Sequence, residues 1–428
     1  MSGHVIRTGS SLPPSPPTDR RSRSARSALP ARLAAAVSGR WPREATYAAA
    51  ALGAVLIAIL LFVILPAPDR LVADHPIVAG GHGLSAVEFS DIPGFPDDDL
   101  AAPFEAFLRS CAHGRDETAL ADVCLKAEGL GGTGPDAIRA FFIDNFKPYR
   151  IEPLGGDGLV TAYYEPVVPG SRVKTARFST PLYSLPKGLV PVTDANRPEN
   201  WDDSLSWGRE TEDGMVPFFT RADIDGGALD GVVEPLVYVE DAVEAFYIHI
   251  QGSTRIELPD GSLMRVGYAG KNGYPYSSVG TAMKERGIVP PGGFSMDGMR
   301  AFFHDDPDRA RELMQVNRSY IFFREVPGLA PELGPIGGEG VPLTTRRSIA
   351  VDTAYHRYGT PIFIDSDIQT GPDRTRQPFR RLMIAQDTGS AIKGPARADL
   401  FWGTGNEAGS MAGGIKAAGT FYVLLPAP

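Results

Sequence analysis

Cysteine is nearly absent: the 428-residue chain has two, Cys111 and Cys124. Histidine is scarce too, with seven scattered residues, no H-x-x-x-H spacing and no Cys/His cluster, so the spacings that hold zinc are missing. Neither a P-loop nor a G-x-S-x-G elbow occurs, which removes those routes to phosphoryl transfer and serine-nucleophile chemistry. GLGGTG at 129–134 matches the dinucleotide fingerprint formally, but it follows a helical pattern rather than a strand and reads as a loop. Positive charge is in deficit, with 42 Lys and Arg against 51 Asp and Glu, and the net charge of -9 argues against a general nucleic-acid binder. Regular βα alternation and internal repeats are also lacking, so the chain is not doubly wound.

What is present begins with an asymmetry. Residues 1–46 carry eight arginines and only two acids, Asp19 and Glu44, among many Ser and Pro, a composition that predicts disorder. From Thr46 to Pro68 the chain runs TYAAAALGAVLIAILLFVILPAP without a charge. About 20 apolar residues suffice to span a bilayer as a helix, so 47–68 reads as a transmembrane signal-anchor. The preceding arginines orient the N-terminus to the cytoplasm and the rest outward. A cleaved signal peptide is the competing reading. Beyond the anchor, two cysteines thirteen apart on one helical hairpin are expected to pair in an oxidising compartment, with two buried free thiols as the alternative.

Residues 69–100 read as a linker leading to a first strand. FEAFLRSCA, ETALADVCLKAE and DAIRAFFIDNF then space apolar residues three and four apart, as helices do. From Gly158 to about Gly280 the chain reads as β, including LVYVEDAVEAFYIHIQG. Asp260-Gly261 between alternating runs predicts a hairpin. Helices return at TAMKERGI and PDRARELMQ, and strands from SYIFFRE to the end. Short strands with 48 glycines and 38 prolines suggest barrels.

With thiol, zinc and serine chemistry set aside, carboxylates remain. Asp352 in SIAVD, and Asp387 and Asp399 in AQDTGSAIKGPARADLFWGTG, each border an apolar strand, where an unpaired acid is costly to bury. Two such acids close together push one pKa up and make a proton donor, chemistry suited to glycosidic bonds. The bland alternative is that these aspartates satisfy turn backbone. Tyr163, Tyr164 and Glu165 at a strand end, Gln251 where an apolar strand meets Gly252, and the tyrosines of VGYAGKNGYPY suit a saccharide groove. Taken singly each tyrosine is as well explained by packing, and Lys393 by a turn or by pairing with Asp387.

Taken in order, YYEPVVPGSR, IQGSTR, LPDGSLMRVGYAGKNGYPYSSVG, GPIGGEGVPLT, SIAVD, DTGSAIKGPARADLFWGTGNEAG and FYVLLP resemble the MltA family of membrane-bound lytic murein transglycosylases, over roughly residues 90–428. The resemblance implies a mainly β fold: a discontinuous double-psi β-barrel built from 101–165 and 317–428, with its three-Asp part near 340–428, and a second barrel-like domain inserted at 166–316. It implies Asp399 as the acid/base, Asp387 beside it, and Tyr163, Tyr164, Glu165, Gln251, Gly252, Lys393 and Asp352 lining a glycan groove. Ser390, where glycine is usual, Thr254 for the glycine of IQGSG, and GGIKAAG for an Arg-Met-Lys stretch depart from the pattern. The lipid-modified cysteine of some members is missing, and the apolar span stands in its place.

The activity implied is that of a peptidoglycan lytic exotransglycosylase, a carbon–oxygen lyase. It would break the β-1,4 bond between N-acetylmuramic acid and N-acetylglucosamine and leave a 1,6-anhydro product, with no metal or cofactor, in the periplasm. The alternatives are a hydrolase in which Asp387 or Glu165 activates water, and a wall-binding protein without activity.

Overall fold

The computed structural model describes residues 83–427 apart from 115–119, 131, 133, 154–156 and 371–374. The Arg-rich segment 1–46, the apolar span 47–68 and residues 69–82 of the expected linker lie outside the described residues. Among the described residues no helix is long and apolar enough to cross a membrane.

The rest of that linker is part of the fold. β1 (Gly83–Ala86) pairs with β2 (Phe146–Glu152), and Ile92, Phe95 and Leu100 are buried in the main core. Three helices follow where apolar spacing places them: α1 (Ala101–Gly114), α2 (Ala121–Glu128) and α3 (Pro135–Asn145). GLGGTG falls between α2 and α3, so it lacks the strand a dinucleotide site needs. Cys111 on α1 and Cys124 on α2 form a disulfide.

After β3 (Gly158–Glu165) the chain enters an inserted body. β4 (Val167–Ser171) and β5 (Thr180–Tyr183) are followed by a small separate sheet, β6 (Leu189–Pro191), β7 (Trp207–Thr211) and β8 (Gly214–Val216). β9 (Pro235–Val239), β10 (Ser253–Glu257), β11 (Leu263–Lys271) and β12 (Ile321–Glu325) join β4 and β5 in the order β12-β11-β10-β4-β9-β5. A bridge from Ser184 to Phe323 draws the two ends of this sheet together, so the insert is barrel-like. β10 and β11 are the expected hairpin, with Glu257 opposite Leu263 and Gly261 at φ 82°, a conformation glycine adopts freely. β12, which the sequence division gives to the catalytic barrel, pairs with β11 and belongs to the insert.

The insert also holds α4 (Arg221–Asp225), α5 (Ala242–Gln251), α6 (Val279–Glu285), α7 (Met296–Asp305) and α8 (Pro307–Met314). α5 corrects the reading of LVYVEDAVEAFYIHIQG as continuous strand, because β9 ends at Val239 and a helix begins three residues later. The end groups decide this. Asp241 Oδ1 accepts from Val243 N at 2.8 Å and Glu244 N at 3.0 Å, and Gly252 closes the helix at φ 84°. The wide buried face from Val243 to His249 hides the 3.6-residue period.

The main barrel resumes with β13 (Ser348–Val351), β14 (Pro361–Thr370), β15 (Thr375–Thr388) and β16 (Arg397–Thr404). A short helix the strand reading misses, α9 (Asn406–Ala412), and β17 (Lys416–Pro426) complete it. The sheet runs β1-β2-β17-β14-β15-β13-β16-β3, and β17 also pairs with β3. Six strands thus close into a barrel without free edges. Asp98 fastens the N-terminal segment to it: both Arg347 Nη atoms reach the Asp98 oxygens at 2.8 Å, and Leu382 N donates to the same carboxylate. The pair is almost fully buried. Asp98→Ala leaves the Arg347 guanidinium buried without its counter-charge and is expected to destabilise the fold by about 3–5 kcal/mol, read as a lower urea midpoint with unchanged slope.

Candidate active site

β13 runs between β15 and β16, and Ala350 on β13 is the register partner of both Asp387 and Asp399. On the far side of β16, Asp399 pairs with Thr161 of β3. Thr161, Asp399, Ala350 and Asp387 therefore form one row across four strands. Strand spacing of about 4.8 Å puts the two aspartates roughly 10 Å apart at Cα, with only a methyl group between them. A bulge makes the row possible. Ile349 pairs with Ala385 and Ala350 with Asp387, so Gln386 is the extra residue. It turns Asp387 outward, as bulges do beside functional sites. The Gln386 side chain stays buried, donating to Ala106 O at 2.8 Å and Ser110 Oγ at 2.9 Å and accepting from Ser348 Oγ at 2.6 Å. On β16, Ala398, Leu400 and Trp402 enter the core, while Phe401 sits beside Tyr163 at 5.6 Å between ring centres.

The two carboxyls differ in their partners. Asp387 accepts from Tyr163 Oη at 2.5 Å on one oxygen, and from Gly338 N at 2.7 Å and Thr388 N at 2.8 Å on the other. Asp399 accepts from the Thr161 hydroxyl, which in turn accepts from Arg397 Nη2 at 2.8 Å. Burial pushes the Asp399 carboxyl up, against the Arg397 charge and the Thr161 hydrogen bond. Burial likewise raises Asp387, its three donors pull it down, and the Asp399 charge adds a further upward push. Burial thus raises both carboxyls, against three donors at Asp387 and against one hydroxyl and a guanidinium charge at Asp399, so the pair as a whole can hold a proton. Burial and the neighbouring acids raise Tyr163 well above the ordinary phenol, which keeps it a donor. Behind Gly338, burial pushes the Glu339 carboxyl up to about 7 while Ser110 Oγ donates to it at 2.7 Å.

The other expected groove residues divide. Glu165 is 1 % exposed, tied to Arg255 Nε at 2.7 Å and Thr404 Oγ1 at 2.9 Å, and faces no open space. Arg255 reaches on to the carbonyls of Pro331 and Leu333, so this pair joins the insert to the barrel. Tyr164 is buried over Gly409 of α9, where any Cβ would strike its ring at 2.6 Å. Its backbone N donates to Gln251 Oε1 at 3.1 Å, so Gln251 and the αL residue Gly252 lie at a helix end that docks on β3 rather than at a strand end. Asp352 is buried and accepts from Ala354 N and Gly394 N. Lys393 lies 3.7 Å from Asp352, not beside Asp387. Of the two departures that side-chain contacts explain, Thr254 is buried with its hydroxyl on Pro166 O, and Ser390 Oγ accepts from Lys271 Nζ at 3.3 Å.

Thr161, Ala350, Gly338 and Arg397 are site residues that sequence reading misses. Only Arg397, two before Asp399 and so on its face of the strand, carries a signal that could have found it. Among the described residues no group of three or more His, Cys, Asp or Glu side chains is placed to hold a metal ion.

Comparison with known proteins bears on this arrangement. A family model described as the MltA specific insert domain matches residues 159–324, and a 3D domain model matches 347–425. The membrane-bound lytic murein transglycosylase A of Escherichia coli K12 is 31% identical over 298 residues, 68% of this chain and 72% of that protein. A membrane-bound lytic murein transglycosylase from Agrobacterium tumefaciens is 37% identical, with a TM-score of 0.74 over 80% of this chain and 98% of the other. Escherichia coli MltA with bound chitohexaose is 26% identical, with a TM-score of 0.62 over 82% and 96%. The first model takes in β3 and the inserted body, the second the C-terminal part of the barrel that carries the aspartates, and the chain belongs to the MltA family of lytic murein transglycosylases.

Proposed function

We infer that the chain cleaves the β-1,4 bond between N-acetylmuramic acid and N-acetylglucosamine in peptidoglycan and releases 1,6-anhydromuropeptides, with Asp399 as the single acid and base. The observation that carries this is the pair on the barrel face: both carboxyls are raised by burial, Asp387 holds three donors, and Asp399 holds one hydroxyl. Asp399 gives its proton to the leaving oxygen. The carboxylate left behind takes the proton of the muramoyl C6 hydroxyl, whose oxygen bonds to C1 as the C1–oxygen bond breaks, so the acid is regenerated. Asp387 in its ionised form opposes the positive charge growing at C1. Bound chitohexaose in a relative supports a glycan as the occupant.

Hydrolysis is the second reading, and it needs a base for water. Glu165 is locked in its ion pair, and both oxygens of Asp387 already accept donors. The closed barrel contains the parallel pairs β13–β15 and β16–β3, consistent with double-psi topology. The same inference extends to location. The charge-free run after the arginines is an N-terminal anchor, and both barrels lie in the periplasm, in keeping with the disulfide and with relatives named membrane-bound.

Asp399→Asn is expected to lower kcat at least about 100-fold while melting no lower than the parent at neutral pH. The sign follows from the raised pKa. An acid whose folded pKa lies above its unfolded value opposes folding once pH exceeds both, and the amide removes that charge. Mass spectrometry of released muropeptides and a thermal melt check both. Tyr163→Phe removes a donor that lowers the Asp387 pKa, so the acidic limb of the kcat/KM profile is expected to move to higher pH. An unmoved limb would show that Asp387 ionisation does not limit the reaction.

A further inference from the structure

Lys271 ends β11 in the insert, and its ammonium crosses to the main barrel to donate to Ser390 Oγ at 3.3 Å. Ser390 lies three residues beyond Asp387, in the turn that leaves β15. Lys393 rises from the same turn, with its side chain 71% exposed. Two ammonium groups from different domains thus converge on the turn that follows Asp387. Their balancing charge is small. Asp352 Oδ1 lies 3.7 Å from Lys393, but it also accepts from Ala354 N, and its other oxygen accepts from Gly394 N. Among the described residues no carboxylate lies within salt-bridge distance of Lys271. Burial, with the Lys393 charge behind it, pushes the Lys271 ammonium down. A partly desolvated cation next to a second cation, held by one neutral hydroxyl, is an electrostatic deficit that a bound anion would relieve.

We propose that Lys271 and Lys393 form an anion subsite for a free carboxylate of the peptide stem carried by the muramoyl residue at the cleavage site. This rests on the transglycosylase reading and deepens it. The glycan itself brings only hydroxyls, ether oxygens and N-acetyl groups. The carboxylates on a muramoyl unit belong to the peptide amide-linked to its lactyl group, which leaves the sugar on the side of C3. Lysines suit this ligand because a flexible ammonium follows a mobile carboxylate without demanding a bidentate fit. Lys271 therefore favours strands whose stem peptides carry free carboxylates over strands whose stem carboxylates are amidated, and Ser390 holds it in place.

The test compares kcat/KM of the full-length protein on peptide-bearing glycan strands with free stem carboxylates and on the same strands with those carboxylates converted to amides. Lys271→Met is expected to lower the preference for strands with free stem carboxylates by roughly tenfold, the scale of a charge-assisted hydrogen bond, mainly through KM. Lys271→Arg is expected to retain most of the preference. An equal loss on both substrates makes Lys271 an interdomain latch and overturns the proposal, as does an unchanged preference.

Calorimetric titration with a soluble muramoyl tripeptide, and with its fully amidated counterpart, judges the subsite without turnover. Tighter binding of the carboxylate form by the parent but not by Lys271→Met supports it, and equal binding of the two ligands by the parent overturns it. A parent protein inactive on both strand types but selective in the titration would sink the transglycosylase reading and leave the subsite standing.

Discussion

A single alanine methyl separates the two acids on which this site depends. Ala350 is register partner to both Asp387 and Asp399, so the barrel's own hydrogen bonding fixes their spacing. No loop has to be ordered to bring them together. The same placement perturbs them, because each residue is half-buried against the barrel wall. The wall is supplied by closure. β17 pairs with β14 and also with β3, and that second pairing shuts the sheet around the core formed by Val160, Ala398, Leu400 and Val423.

Closure also sets where the insert can act. The chain leaves the barrel just past Glu165, four residues beyond Thr161, a distance of about 13 Å along a strand. The Glu165–Arg255 pair and the Gln251 contact to Tyr164 N hold the insert at that point. The tyrosine-glutamate run is therefore a division of labour: Tyr163 faces Asp387, Tyr164 seals α9 against β3, and Glu165 ties the two bodies together. Removing a buried partner from such a pair is strongly destabilising, so loss of activity at Glu165 would by itself say nothing about chemistry there.

Much of this is legible in the sequence, and the gaps have physical causes. The strands around Asp352, Asp387 and Asp399, the Asp260-Gly261 hairpin and the Cys111–Cys124 pair are set by local signals, and the structure carries them as read. α5 is misread because its apolar residues cover too wide a face to show a period, although Asp241 and Gly252 mark both ends. Lys393 is expected near Asp387 on sequence proximity, whereas the turn folds back so that it meets Asp352 instead. Thr161 and Ala350 are invisible beforehand, since their roles come from strand register: Thr161 meets Asp399 across 238 residues of chain, and Ala350 takes its place only from the pairing of β13 with both β15 and β16. The Gln386 bulge is of the same kind: one extra residue decides which face Asp387 occupies, and composition does not reveal it.

The central claim is that one carboxyl handles both proton transfers and that the muramoyl C6 oxygen, not water, attacks C1. Digestion of peptidoglycan in water enriched in oxygen-18 tests this most directly. Released muropeptides that carry no label and are one water lighter than reducing muropeptides are the expected result. Incorporation of one oxygen-18 at the C1 position of the released muramoyl residue would make water the nucleophile and contradict the account.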